Sequence, residues 1–103
     1  MNGFVLHPEA YADLEEIWEY IVADSLDAAD RIREEIYETI RSLVVFPYTG
    51  HSRPGLTARP LRFQSLRGCV IAYAPDEKPL AVIAVLHGRR NPRVIAAILR
   101  RRP

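Results

Sequence analysis

The chain has 103 residues, so we expect a single domain covering residues 1–103. Its 49% hydrophobic and 26% charged residues are typical of a globular protein and argue against disorder. The apolar runs are too short for a transmembrane helix, no signal peptide is visible, and one cysteine cannot form an internal disulfide, so we expect a cytoplasmic protein.

The net charge of +1 hides a division between the two halves of the chain. Residues 1–50 carry 11 acidic residues and 3 arginines, a balance of −8. Residues 51–103 carry 2 acidic residues, 10 arginines and 1 lysine, a balance of +9. This division indicates an anionic partner for the basic half, or an acidic partner that covers it. Acidic helices beside a basic sheet would give the same division without any partner, so both interpretations stay open.

The first half predicts a short strand and then a helix. Residues 3–7 favour a strand, and Pro8 suits the first position of a helix that runs from Glu9 to about Val22. Its apolar stripe has helical spacing and consists of Leu14, Ile17, Trp18 and Ile21. Its acidic residues are expected to face mainly away from that stripe: Asp13, Glu15, Glu16 and Glu19.

A second helix follows after a break at Asp24-Ser25, where either residue can cap the new helix. Its apolar period continues from about Leu26 to Val45, and Pro47 ends it. Two long amphipathic helices joined by a short break predict an antiparallel hairpin, which must bury its apolar side against the rest of the chain.

The second half predicts three strands and a short helix. Residues 47–60 are rich in Pro and Gly and form a loop, and the strands are Leu61–Leu66, Cys69–Ala74 and Leu80–Leu86. The last strand is nearly all apolar, which is typical of a central, buried strand. Asn91-Pro92 opens a short helix that reaches Leu99, and residues 100–103 form a basic tail. We therefore predict an α+β fold of order β-α-α-β-β-β-α, with the hairpin on one face of a small, mostly antiparallel sheet.

The most distinctive segment lies where the buried strand ends, at His87-Gly88-Arg89-Arg90. Neighbouring arginines repel each other unless they meet a carboxylate or phosphate, so Arg89 and Arg90 bind an anionic group or pair with acids on the helices. His87 has the chemistry of a general acid or base, but a histidine at a strand end is more often a hydrogen-bonded structural residue.

Further arginines precede this segment, and in an antiparallel sheet some of them should converge near Arg89: Arg53, Arg59, Arg62 and Arg67. Such a cluster suits nucleic-acid phosphates or a developing negative charge. Acidic residues are nearly absent from this half and the histidines lack metal-ligand spacing, so we expect no metal site and no cofactor. Cys69 is expected to be a small core residue rather than a nucleophile.

Several short motifs, in order along nearly the whole chain, resemble the RelE/ParE superfamily of toxins from type II toxin–antitoxin systems. They are Leu6-His7-Pro8-Glu9-Ala10, residues 13–21, Ala28-Ala29, Pro47 with Gly50, Arg53-Pro54, Ile71-Ala72-Tyr73 and residues 85–90. The resemblance implies a toxin that arrests growth until a cognate antitoxin of the ParD or RelB type neutralises it.

Within that superfamily, RelE-like members cut mRNA on the ribosome with Lys, Arg, Tyr or His side chains, whereas ParE-like members inhibit DNA gyrase. Here the single Lys78 lies in an expected turn and no Tyr or His follows Arg89, which favours the ParE branch. The sequence departs from that branch at Cys69, where an aromatic residue is usual, and at Gly55, where an acid is usual.

The resemblance therefore implies a gyrase inhibitor that acts by protein contact. The residues expected to bind gyrase or antitoxin are Arg89, Arg90 and His87, with Arg62, Arg67 and Arg53 as secondary candidates. The first alternative is a ribosome-dependent, metal-independent mRNA endoribonuclease, with His87, Arg89 and Arg62 as candidate catalytic residues. The second is an inactive interaction protein that keeps the toxin fold.

Overall fold

A computed structural model describes residues 3–103, and its secondary structure follows the predicted order. The elements are β1 (Phe4–Leu6), α1 (Pro8–Val22), α2 (Leu26–Val45), β2 (Arg62–Leu66), β3 (Cys69–Ala74), β4 (Leu80–His87) and α3 (Pro92–Arg101). The α+β fold class is confirmed. The strand β4 extends one residue further than predicted, to His87, and α3 extends two residues further, to Arg101.

Each helix begins at a residue whose side chain accepts a hydrogen bond from the first turn. His7 Nδ1 accepts from the Glu9 amide at 3.1 Å, Ser25 Oγ from Ala28 at 3.1 Å, and Asn91 Oδ1 from Arg93 at 2.8 Å. These contacts satisfy backbone donors that have no partner within the helix. In residues 3–103, no helix is long and apolar enough to cross a membrane.

The sheet has four strands in the order β1-β4-β3-β2, so β4 lies in its interior. The strand β1 pairs in parallel with β4, and the other two pairs are antiparallel. Residues 80–86 are all buried, as the apolar run predicts for a central strand. The mostly antiparallel sheet of the prediction is confirmed.

Both faces of the sheet are covered. The helical hairpin packs on one face, and the core there includes Leu14, Ile17, Ile36, Ile40, Leu43, Ile71, Tyr73, Val82 and Val85. The helix α3 and the loop before β2 cover the other face, with a core that includes Leu61, Phe63, Val70, Ala72, Ile83, Leu86, Ile95 and Leu99. The sequence predicted the helix α3 but not where it packs. In the structure α3 packs on the second core.

A β-bulge interrupts β4 just where β1 ends. Tyr73 lies opposite Val82 and Ala72 lies opposite Ala84, which leaves Ile83 without a partner on β3. The pairing of β1 with β4 stops at Val82. Backbone groups of β4 beyond that point therefore need partners from outside the sheet, because a buried polar group without a partner is costly.

An ion pair between Asp13 of α1 and Arg102 supplies those partners. Asp13 Oδ2 accepts from the Val85 amide at 3.0 Å, and Arg102 Nη1 donates to the Ile83 carbonyl at 3.2 Å. The guanidinium also binds both carboxylate oxygens of Asp13, at 2.5 and 2.9 Å. The exposed fractions of the two side chains are only 10% and 9%, so this is a nearly buried, bidentate ion pair.

Two sequence predictions are wrong here. Asp13 does not face away from the core, and residues 100–103 are not a free basic tail, because Arg102 is buried. Arg59 fixes the same end of the chain by donating to the carbonyls of Leu99 at 2.8 Å, Arg102 at 2.5 Å and Pro103 at 3.1 Å. Local periodicity could not indicate this, because the need for a carboxylate arises only from the unpaired edge of β4.

We expect Asp13→Ala to lower the free energy of unfolding by about 3–5 kcal/mol, because it leaves the buried Arg102 charge without a partner. Glu15→Ala, at an exposed position of the same helix, should change it by no more than about 0.5 kcal/mol. Urea denaturation followed by circular dichroism measures both values. Equal effects of the two substitutions would contradict the role assigned to the ion pair.

Candidate functional site

The turn after β4 packs closely against the turn between β2 and β3. The Gly88 amide donates to the Gly68 carbonyl at 2.7 Å. A Cβ atom at Gly88 would lie 3.2 Å from that carbonyl oxygen and 3.3 Å from Val70 Cγ2, so a larger residue would push the two turns apart. Gly88 therefore sets the direction in which Arg89 and Arg90 leave the sheet.

An open groove of about 390 Å³ lies between this turn and the loop before β2. Arg53 and Arg90 are its two charged lining residues, and its other lining residues are Gly55, Leu56, Gly88, Pro92 and Ile95. The Arg53 guanidinium carbon also lies 5.7 Å from the centre of the Phe63 ring, which holds the side chain over the sheet. We call this feature the Arg53–Arg90 groove. Both arginines were predicted from the sequence. Leu56 and Ile95 were not, because an apolar residue in a loop or on a helix does not by itself indicate a groove.

The two neighbouring arginines differ in their contacts. Arg90 Nη2 binds Glu16 Oε1 of α1 at 2.9 Å, which is the pairing with a helix acid that the sequence left open. Arg89 is exposed, and within residues 3–103 no acidic side chain lies within 4.0 Å of it. Arg89 is thus available to an external anionic group, whereas Arg90 is held at the rim of the groove.

His87 lies at the end of β4, half-buried and turned towards α1. Its ring centre is 5.7 Å from that of Tyr20, with the ring planes at 81° in an edge-to-face contact. It does not line the Arg53–Arg90 groove. His87 is therefore close to Arg89 and Arg90 in the sequence, but its side chain packs against α1 and not in the groove.

Arg67 belongs to the neighbouring turn, where its charge is already paired. Its φ of 49° is in the left-handed region, as is the φ of 79° at Gly68. The guanidinium binds both carboxylate oxygens of Glu35 on α2, at 2.6 and 3.1 Å. Arg67 therefore fastens the β2–β3 turn to the hairpin.

Arg62 is not brought to the groove. Arg62 lies opposite Tyr73 on β3, and Tyr73 lies opposite Val82 on β4. Val82 precedes His87 by five residues, so the level of Arg62 is roughly 16 Å along the strand from His87. There it donates to the Gly50 carbonyl at 2.6 Å, and its guanidinium carbon lies 5.2 Å from the centre of the Tyr48 ring. The antiparallel register puts the start of β2 and the end of β4 at opposite ends of the sheet, so Arg62 supports the loop after α2 instead.

Two buried side chains with reactive groups, Cys69 and Tyr73, are part of the hydrophobic core. Cys69 is buried, as expected for a small core residue, and burial raises the pKa of its thiol. Burial also raises the pKa of Tyr73, whose hydroxyl donates to the Pro47 carbonyl at 2.7 Å and accepts from the Gly50 amide at 3.0 Å. Among the described residues, no three His, Cys, Asp or Glu side chains are grouped so that they could hold a metal ion.

A family model for the ParE toxin of type II toxin–antitoxin systems (parDE) matches residues 4–92, from β1 to the first residue of α3. The chain belongs to the ParE toxin family. This match confirms the resemblance to the RelE/ParE superfamily that the ordered motifs indicated. It also confirms that the chain belongs to the ParE branch as a family. A comparison with curated proteins gives no match. The matched range contains the whole Arg53–Arg90 groove except Ile95, and it excludes the rest of α3.

We expect the Cys69 thiol of the folded ParE-family toxin to react slowly with Ellman's reagent at pH 8, because burial blocks access and the raised thiol pKa reduces the thiolate fraction. Unfolding in guanidinium chloride should restore the rate of a free cysteine. A native rate within about twofold of the unfolded rate would contradict the position assigned to Cys69.

Proposed function

We propose that this ParE-family toxin inhibits DNA gyrase through protein–protein contact made by the Arg53–Arg90 groove and Arg89, without cleaving a bond. The observation that carries the proposal is the lining of the groove. It offers two arginines over an apolar floor, and none of its lining residues is a His, Lys, Tyr, Asp or Glu that could transfer a proton.

An RNA-cleaving site needs groups that accept and donate protons near neutral pH. An arginine stays protonated in proteins, so it can bind and stabilise an anion but cannot act as the base. His87 has suitable chemistry, but its ring contacts Tyr20 and lies outside the groove lining. This separation supports recognition rather than catalysis.

The same surface has the composition of a protein-binding site. Arginine is enriched among residues that dominate binding energy, and such residues lie around well-packed apolar pockets. Leu56, Pro92 and Ile95 supply the apolar part, while Arg53 and Arg89 supply exposed donors for carboxylates of a partner. We therefore propose that gyrase presents an acidic and apolar surface to this groove, in the cytoplasm where gyrase acts.

Membership of a type II system implies an antitoxin partner. We propose that the cognate antitoxin contributes an acidic, amphipathic segment that covers Arg89 and the groove arginines. A second groove of about 480 Å³ at the other end of the sheet suits the apolar side chains of the antitoxin. Its lining includes Phe4, Val5, Val44, Pro47, Pro75, Pro79 and Leu80.

The test of the gyrase proposal is a supercoiling assay with the purified toxin. We expect the wild type to inhibit supercoiling and Arg53→Ala/Arg89→Ala to need at least about tenfold more protein, because two charge-assisted contacts are lost. Arg31→Ala on the exposed side of α2 is the matched control and should inhibit like the wild type.

Two outcomes would contradict this proposal. Normal supercoiling at toxin excess, together with mRNA cleavage on ribosomes that His87→Ala abolishes, would assign the chain to the RelE-like alternative. Absence of growth arrest on expression of the folded toxin would assign it to the inactive alternative.

The toxin–antitoxin complex should weaken with salt, because its proposed contacts are partly ionic. Charge reversal by Arg89→Glu should raise the dissociation constant at least about tenfold, whereas Arg31→Glu should leave it within about twofold. Isothermal titration calorimetry at two salt concentrations measures both effects. A complex that is insensitive to salt and to Arg89→Glu would show that charge complementarity is not its basis.

A further inference from the structure

The C-terminal segment is the most basic part of the molecule. Residues 88–103 contain six arginines and no acidic or aromatic residue. Two of the six are used inside the protein, Arg90 with Glu16 and Arg102 with Asp13. The other four are exposed and have no acidic side chain within 4.0 Å in the described chain: Arg89, Arg93, Arg100 and Arg101.

Three of these exposed arginines lie on α3 and form what we call the α3 arginine face: Arg93, Arg100 and Arg101. The helix buries Ile95, Leu99 and then Arg102 against the sheet, at the spacing of one helical stripe. Arg93 and Arg100 are seven residues apart, which is two turns on one side of the helix and about 10.5 Å along its axis. The face is therefore a row of cations and not a single charge.

Both ends of α3 are fixed, so the row is held in place before any partner arrives. Asn91 caps its first turn, and Arg59 donates to three carbonyls at its end. Ion pairing of Arg102 adds a third attachment. A rigid array loses less conformational entropy on binding than a mobile tail, which favours recognition of a regularly charged surface.

We propose that the α3 arginine face binds the phosphate backbone of double-stranded DNA. The choice of duplex rests on the proposed function, because gyrase holds duplex DNA and a toxin bound to gyrase would lie beside it. Duplex DNA carries one negative charge per about 1.7 Å of helix axis, so a row of about 10.5 Å meets several phosphates. Like-charged arginines without internal partners are stabilised by such a surface.

The chemistry of the face favours a duplex over a single strand. Proteins that bind single strands combine a basic groove with aromatic side chains on which the bases stack. Residues 88–103 contain no aromatic residue, so the face offers no ring on which a base could stack. It is also separate from the Arg53–Arg90 groove, so one molecule can contact gyrase and DNA with different residues.

The experiment is fluorescence anisotropy of the purified toxin with a labelled duplex of about 20 base pairs and mixed sequence, over a series of salt concentrations. Each phosphate contact contributes about −0.9 to the slope of log K against log salt concentration. Three arginines therefore predict a slope near about −2.7 for the wild type. Arg93→Glu/Arg100→Glu should bring the slope to about −0.9 or weaker and reduce the affinity at least about tenfold.

Arg31→Glu/Arg41→Glu on α2 is the matched control, because it changes the net charge equally at two exposed positions. It should keep the wild-type slope and most of the affinity. Thermal unfolding of both variants checks that they fold. We expect this because neither Arg93 nor Arg100 makes an ion pair with a described residue, and the Arg41–Glu34 pair that the control loses is exposed and contributes little to stability.

The proposal is overturned if the wild type does not bind the duplex in 50 mM salt, if both double variants lose affinity equally, or if a single-stranded RNA of the same length binds more tightly. It is also overturned if Arg93→Glu/Arg100→Glu keeps duplex affinity but loses the antitoxin. Supercoiling assays with the same proteins separate this proposal from the proposed function. Inhibition of gyrase without duplex binding would overturn only this inference, and duplex binding without inhibition would overturn only the proposed function.

Discussion

The buried ion pair between Asp13 and Arg102 is the contact on which the arrangement of this molecule depends. It joins α1, the free edge of β4 and the end of the chain in one set of hydrogen bonds. Burying two charges is costly, and such a pair is tolerated when further hydrogen bonds satisfy its remaining atoms. The Val85 amide and the Ile83 carbonyl of β4 provide those bonds. By holding the end of α3 on the sheet, the pair also helps keep Ile95 in the floor of the Arg53–Arg90 groove.

The opposite charges of the two halves have two uses. Part of the positive charge joins the basic half to the acidic hairpin through Arg67 with Glu35, Arg90 with Glu16 and Arg102 with Asp13. To that extent the division of charge is a means of packing and needs no partner. The remainder includes Arg89 on the turn after β4 and the exposed arginines of α3, to which the described chain offers no carboxylate. This remainder is the charge that the proposed contacts with partners would use.

Much of the fold was predictable because it follows from periodicity. The apolar stripes predicted both long helices, the continuous apolar run predicted that β4 is central, and ordered motifs predicted the family. Pairing over long distances was not predictable. Arg62 and Arg90 are equivalent by residue type, and only the strand register sends one to the far end of the sheet and the other to the groove. Asp13 shows the same limit, because its partner follows 89 residues later.

The strand order has a consequence for the order in which this protein folds. The interior strand β4 is synthesised after the other three strands, yet it separates the first strand from the other two. At about 5–20 residues per second, synthesis of the first 87 residues takes roughly 4–17 s. From the synthesis of Val45 to that of His87, which is about half of that interval, the acidic hairpin exists without the sheet that it covers. The toxin therefore completes its sheet only after β4 has been made, and the proposed antitoxin would meet the finished surface no earlier than that.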